Sequence, residues 1–128
     1  MENKVVAHYR DGRIVKGTTT DFSPMKDSFH LITLDKTAVE VLLTQLKALF
    51  FVKNFEGNRQ YRERKEFDLA KVYGRKIICK FEDGEMLMGY TQGYDPKRKG
   101  FFVFPADPAS NNEKIFVVSS PTLKVSAP

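Results

Sequence analysis

The stretch VVAHYRDGRIVKGTTTDFSPMKDSFHL, Val5 to Leu31, decides the fold, because a related stretch follows it 72 positions later. Of the 32 residue pairs that begin with Lys4 and end with Asp35, eight are identical at this offset without a gap, where average composition would give roughly two. We therefore interpret the chain as a duplicated module. The residues identical to their partner 72 positions on are Lys4, Asp11, Gly12, Gly17, Thr19, Pro24, Phe29 and Asp35.

The pattern inside this stretch is typical of short strands and tight turns. Apolar and polar side chains alternate from Val5 to Arg10, as in a half-buried strand. The Asp11-Gly12 pair predicts a hairpin turn with positive φ at both central positions, and Gly17 predicts a bulge or sharp bend in the next strand.

Five short strands are predicted in each copy, which is the pattern of a small barrel. The fold class expected is all-β and internally duplicated, with two small five-stranded barrels of the Sm-like or Src-homology-3-like kind, at 1–53 and 76–128, joined by a charged connector at 54–75. The predicted strands are 5–10, 13–20, 29–34, 36–44 and 47–52, then 76–82, 85–91, 101–104, 114–119 and 122–125.

The connector carries most of the chain's excess positive charge. Between Lys53 and Lys76 eight cations face four acids, a net charge of plus four, and the whole chain carries only plus five. The part from Tyr61 to Val72 could form a short helix or alternate as a strand, and periodicity does not decide between them.

Composition places the chain among globular cytosolic proteins that do not cross a membrane. Hydrophobic residues make up 41% and charged residues 29% of the sequence. The longest apolar run, Ala48 to Val52, is far shorter than the roughly 20 residues of a membrane span. The single cysteine, Cys79, falls on the face that alternation assigns to the core, which predicts a buried structural thiol.

The hairpin and glycine pattern resembles the first sequence motif of the Sm-like family. That resemblance implies a five-stranded barrel but does not carry over the family's RNA site. Where the family holds a base with an Asn, the two copies have His30 and Phe102, and the Arg-Gly or Lys-Gly pair of the second motif is absent from both. The residues that match are Val5 to Tyr9, Asp11-Gly12-Arg13, Gly17, Asp21 and Phe29 to Leu31.

PilZ domains, small barrels that bind cyclic dinucleotides, are a disfavoured comparison. The arginine-rich QYRERKEF is similar to their arginine stretch, but no two arginines have the RxxxR spacing and no DxSxxG or NxSxxG motif follows. The stretch from Lys71 to Arg75 has the spacing with a lysine in front, and a lysine lacks the planar fork that grips phosphate and guanine.

The sequence does not predict an enzyme, a cofactor or a metal site. The only histidines are His8 and His30, which alternation places on the exposed strand face, and neither has metal-ligand spacing with Cys79. Phosphate-binding glycine loops are absent, and Asp11 and Asp83 are explained as turn residues.

Binding is the function class that the residues favour. Cations that neutralise phosphates and rings that stack on bases act together in single-strand binders built on small barrels. The first hypothesis is a module that binds an anionic partner, nucleic acid or nucleotide. It would bind through the connector and the turn DPKRKG, Asp95 to Gly100. Its residues are Arg59, Arg62, Arg64, Lys97, Arg98, Lys99, Tyr90 and Tyr94, near Phe102.

The second hypothesis is a protein-interaction or homodimerisation module with no role in nucleic-acid binding. The strand that contains Phe102 and Phe104 is apolar on both faces, so its outer face needs cover. That cover would come from packing between the two copies or from a protein partner.

Overall fold

The structure is a computed structural model that describes residues 2–56, 74–107 and 109–127. These residues form ten β-strands and one short 3-10 turn, Leu43–Gln45, so the predicted all-β class is confirmed and each predicted strand overlaps an observed one. The strands are β1 (Asn3–Tyr9), β2 (Ile14–Thr19), β3 (Ser28–Thr33), β4 (Ala38–Leu42), β5 (Leu46–Val52), β6 (Arg75–Lys80), β7 (Met86–Thr91), β8 (Gly100–Pro105), β9 (Asn112–Val118) and β10 (Lys124–Ser126).

All ten strands belong to one open antiparallel sheet. Its order is β10-β6-β7-β8-β9-β5-β1-β2-β3-β4, so β10 and β4 are the edges. The two halves of the chain meet where β5 pairs with β9, with Leu49 opposite Phe116. The sheet is therefore continuous across the two halves of the chain.

Residues 72 positions apart have matching partners in the two halves. Val5 pairs with Gly17 across β1 and β2, and Ile77 pairs with Gly89 across β6 and β7. The match ends in the loop after β8, because Phe29 pairs with Val41 while Phe101 pairs with Val117, which is 76 positions beyond Val41. The loop 106–111 is two residues longer than the loop 34–37, and β9 has two further residues before the position that matches the start of β4, which together make the four additional residues.

Gly17 lies where β2 and β3 approach most closely, and Gly89 lies at the matching place between β7 and β8. A Cβ at Gly17 would lie 2.1 Å from the carbonyl oxygen of Ile32, and one at Gly89 would lie 2.2 Å from that of Phe104. Real Cβ atoms do not approach backbone so closely, so these positions require glycine for space. The pairing of β1 with β2 runs through Gly17 without a register shift, so the expected bulge is absent and glycine is needed there for space.

The Asp-Gly hairpins differ from the predicted turn type. Within the two Asp-Gly pairs only the glycines have positive φ, +97° at Gly12 and +89° at Gly84. In the first hairpin the Tyr9 amide donates to the Arg13 carbonyl and the Gly12 amide donates to the Tyr9 carbonyl, which gives a three-residue loop with one left-handed residue. The Asp11 carboxylate accepts the Arg13 amide at 3.0 Å and so stabilises this longer loop.

The two apolar cores exchange side chains across the junction. Phe116 and Val118 belong to β9 of the second half, yet they pack in the core that β1 to β5 build. In return Ala48 of β5 lies in the core of the second half, and Phe50 packs against that core. Each core is therefore completed by residues from the other half.

Phe102 is covered from within the chain. Its ring centroid lies 5.2 Å from that of Phe116 and 6.1 Å from that of Phe51, and it packs against the first core. Phe22, from the loop after β2, joins the same group of rings at 5.1 Å from Phe116. The sequence predicted that Phe102 is covered either by packing between the two copies or by a protein partner. In the structure, packing between the two halves covers it.

The core placement of Cys79 is confirmed, since its side chain has no exposed surface. Burial raises the pKa of the Cys79 thiol to about 12, so the group is protonated and unreactive at neutral pH. His30 is exposed as expected, whereas His8 is half-buried with its ring 4.3 Å from that of Phe50. Burial lowers the pKa of His8.

Candidate anion-binding site

The basic turn between β7 and β8 lies beside a cavity of about 580 Å³, which we call the phenylalanine cavity. Its volume is in the range of small-molecule sites. Strand β8 and the turn before it provide most of the wall. The lining residues are Pro24, Met25, Gln92, Gly93, Lys97, Arg98, Lys99, Gly100, Phe101, Phe102, Phe104 and Phe116.

The turn itself is held by Asp95. The carboxylate of Asp95 accepts the amide of Lys97 at 2.9 Å, and its carbonyl accepts the amide of Arg98 at 3.1 Å. A side-chain oxygen that bonds the backbone two residues on is the usual device of an Asx turn. It places three consecutive cations at one end of β8.

The three cations differ in how far they are neutralised. Lys99 forms an ion pair with Asp27 of the first half. Arg98 has a side chain that is 72% exposed, and its Nε lies 4.0 Å from the Asp95 carboxylate, which is the outer limit of an ion pair. Lys97 forms no ion pair with any described residue. Charge is therefore available to a ligand at Lys97 and Arg98.

The aromatic wall of the cavity is built on the junction between the halves. Phe101 and Phe116 are fully buried, while Phe102 and Phe104 are partly buried and contribute ring surface at the cavity. None of the residues that line the cavity carries a carboxylate, although Asp27 and Asp95 lie directly behind the cations.

Several of the predicted site residues meet at this cavity and others do not. Lys97, Arg98, Lys99, Phe102 and Phe104 do line it. Tyr90 does not, because it is 1% exposed and its ring belongs to the interior, so it offers no surface on which a base could stack. The reason is that β7 is buried on both faces from Gly89 to Thr91, which alternation could not indicate.

Tyr94 does not line the phenylalanine cavity. Its ring packs edge-on against Phe101 at 4.7 Å between centroids, and the residue remains 41% exposed. It lines a separate cavity of about 420 Å³. The connector arginines Arg59, Arg62 and Arg64 fall outside the described residues.

Sequence reasoning missed the contribution of the first half. Pro24 and Met25, in the loop between β2 and β3, form part of the wall, and Met25 is 78% exposed. The repeat could have indicated this loop, since Met25 lies 72 positions before Lys97, which is a predicted site residue. What the repeat did not indicate is that the two matching loops lie side by side.

Asp21 anchors this loop of the first half. One oxygen of its carboxylate accepts the backbone amide of His30 at 2.9 Å and the hydroxyl of Thr19 at 3.1 Å, and the other lies 2.7 Å from Nδ1 of His30. The side-chain hydrogen bond with His30, helped by the other two bonds, holds the pKa of the Asp21 carboxyl below its usual range.

The lowered pKa of Asp21 predicts a stabilisation that depends on pH. Because the folded-state pKa lies below the unfolded one, this contribution is present above the unfolded pKa, near 3.8, and is lost as the pH falls through the folded value. Asp21→Asn should therefore be less stable than the natural chain at pH 7, and the difference should narrow below about pH 4. Urea unfolding at a series of pH values measures it.

The control for this pH effect is Glu113→Gln, at an exposed residue of β9. Its unfolding midpoint should follow that of the natural chain at every pH. A difference between Asp21→Asn and the natural chain that stays constant from pH 7 to pH 3 would contradict the assigned role of the carboxylate.

Two further features were searched for in the described part of the chain: a metal site and a membrane-spanning helix. No group of three or more His, Cys, Asp or Glu side chains within 2–56, 74–107 and 109–127 is arranged to hold a metal ion. In the same ranges, no helix has the length and apolar character that crossing a membrane requires.

Comparisons with known proteins place the chain in one family. The model of a family of unknown function, DUF6982, matches residues 1–127. No curated protein and no solved structure matches the chain. Because the family model covers nearly the whole sequence, the chain belongs to the DUF6982 family.

Proposed function

We propose that this chain is a non-enzymatic binding module that holds an anionic partner, a nucleic acid or a nucleotide, in the phenylalanine cavity. The observation that carries the proposal is the lining of that cavity, where Lys97 and Arg98 stand beside the rings of Phe102 and Phe104 without a carboxylate among the lining residues. Cations neutralise phosphates and release counterions, and aromatic rings stack on bases.

We further infer that the chain is an internal duplication of a small five-stranded, Sm-like barrel, with modules at 1–53 and 76–128 and the basic connector at 54–75. The matching strand registers support this, as do the two glycines that let β3 and β8 cross close to their neighbours. A strand that bends at such a glycine allows a short sheet to curl.

Only the second half carries the cations and rings of the proposed site, although the two halves share one strand arrangement. The residues that lie 72 positions before Lys97, Arg98 and Lys99 are Met25, Lys26 and Asp27. At the place of the Phe102 and Phe116 pair, the first half pairs His30 with Glu40. The corresponding surface of the first half therefore has carboxylates where the second half has cations and rings, and we expect one ligand per chain.

Charge reversal at the cavity tests the proposal. The double variant Lys97→Glu with Arg98→Glu should lower the affinity for a short fluorescent single-stranded oligonucleotide at least tenfold at low salt, measured by anisotropy. For the natural chain, two neutralised phosphates predict that log affinity falls with log salt concentration with a slope of about −1.4. For the variant, we expect a slope close to zero.

The matched control carries the same charge change away from the cavity. Lys4→Glu with Lys80→Glu alters two exposed strand residues that do not line the cavity, so it should leave most of the affinity intact. Absence of oligonucleotide binding by the natural chain at low salt would overturn the proposal, as would equal losses in the two double variants.

The alternative is a protein-interaction or dimerisation module with no role in nucleic-acid binding. Exposed apolar side chains near edge strand β4 favour it, since Ile32 is 37%, Leu34 60% and Leu42 39% exposed. An uncovered strand edge can also pair with another chain. A chain that binds no oligonucleotide but sediments as a dimer would favour this alternative.

A further inference from the structure

We propose that the bound partner is a single-stranded nucleic acid at least two nucleotides long, with one base on each side of Arg98. This rests on the proposed function and specifies its ligand. The basis is that Arg98 lines two cavities, the phenylalanine cavity and the cavity that contains Tyr94, which we call the tyrosine cavity.

Arg98 is suited to hold the phosphate that links two nucleotides. Its side chain is 72% exposed, and its ion pair with Asp95, the one it forms among the described residues, is at the 4.0 Å limit. A guanidinium presents a planar fork of donors that matches two phosphate oxygens at once. A phosphodiester lying over Arg98 would leave one attached nucleoside free to enter each cavity.

The tyrosine cavity has the features of a base-binding site. Its volume is about 420 Å³, and its wall combines the Tyr94 ring with Pro96, Pro121 and Leu123. Packing of Tyr94 against Phe101 fixes the ring, so stacking a base on it costs little side-chain entropy. Every base has a flat face, so such a ring binds single strands with little dependence on sequence.

The same wall contains a hydroxyl group without a partner. Ser119 lines the tyrosine cavity, and its Oγ is buried with no hydrogen-bond partner among the described residues. A buried polar group without a partner costs free energy, so a rotation of the Ser119 side chain that brings its hydroxyl to the edge of a bound base would be favourable. An apolar ligand would offer the hydroxyl no such partner.

A duplex does not fit this arrangement. The two cavities share Arg98 but no other lining residue, so two bases of one strand must separate to enter both cavities. Stacked and paired bases cannot do so without the cost of unstacking. The geometry therefore favours a flexible single strand over both a duplex and a mononucleotide.

The test compares ligand lengths on the full chain by isothermal titration calorimetry at low salt. The probes are thymidine monophosphate, the dinucleotide pTpT, a thymidine tetranucleotide and a 12-base-pair duplex. We expect the dinucleotide to bind about tenfold or more tightly than the mononucleotide, because a second base is stacked. The tetranucleotide should add little, and the duplex should bind more weakly than the dinucleotide.

Variants at Tyr94 separate the two cavities. Tyr94→Ala should reduce the affinity for the dinucleotide to about that of the natural chain for the mononucleotide, while Tyr94→Phe should keep the difference. Thermal unfolding of each variant shows that the fold is retained. If Tyr94→Ala does not fold, Arg98→Gln serves instead, and it should lower dinucleotide affinity more than mononucleotide affinity.

Each outcome has a separate meaning. Equal affinities for mononucleotide and dinucleotide would overturn the two-cavity inference and leave the proposed function standing. Tighter binding of the duplex than of the single strands would also overturn it. If none of the four probes binds, the proposed function fails together with this inference.

Discussion

Phe116→Ala is expected to lower the free energy of unfolding by about 3–5 kcal/mol, the usual cost of removing a buried aromatic ring. Phe116 has no exposed surface, and its ring lies 5.1 Å from that of Phe22 and 5.2 Å from that of Phe102. It belongs to β9 but packs in the core of the first half. Its loss should therefore destabilise both halves together, in one urea transition seen by circular dichroism and by fluorescence.

Phe104→Ala is the matched control for this result. Phe104 belongs to the neighbouring strand β8 and is only partly buried, so its truncation removes less apolar contact and should cost clearly less free energy. A loss below about 1 kcal/mol for Phe116→Ala would contradict the exchanged packing, given the usual cost of such a cavity. Two separate unfolding transitions in the natural chain would contradict it as well.

Gly17→Ala is expected to destabilise the chain by roughly 2–3 kcal/mol, because the added methyl group overpacks the sheet. The new Cβ would lie 2.1 Å from the Ile32 carbonyl oxygen and 2.5 Å from a methyl carbon of Leu31. The first of these atoms is backbone, which cannot move aside without breaking the pairing of β2 with β3. Urea unfolding of the variant measures the loss.

Gly93→Ala provides the control for the glycine effect. A Cβ at Gly93 meets no atom within 4 Å, and its φ is not in the left-handed region. The same chemical change should therefore be nearly neutral for stability. If Gly17→Ala and Gly93→Ala were equally stable, steric approach of the strands could not be the reason for glycine at position 17.

Local sequence patterns were enough to predict the strands and part of the candidate site. Period-two alternation and turn residues act between neighbours along the chain, so they located all ten strands, the two Asp-Gly hairpins and the buried Cys79. The cations Lys97, Arg98 and Lys99 lie three to five residues from Phe102. Their meeting at one cavity followed from that short spacing.

Where the predictions failed, distant parts of the chain determined the result. Tyr90 looked available for stacking, but the interior covers both faces of β7 at that point. Both residues of each Asp-Gly pair were expected to have positive φ, but Arg10 extends the first loop and only Gly12 is left-handed. Pro24 and Met25 entered the site because the two matching loops come together in space.

By itself, the sequence determined an all-β chain of ten short strands with a repeat of 72 residues, because alternation, turn chemistry and identity are properties of neighbouring or matching positions. Only the tertiary structure decided that β5 pairs with β9 and that Phe116 completes the core of the other half. Strand pairing between distant segments depends on which apolar faces bury each other best, and no local pattern specifies that choice.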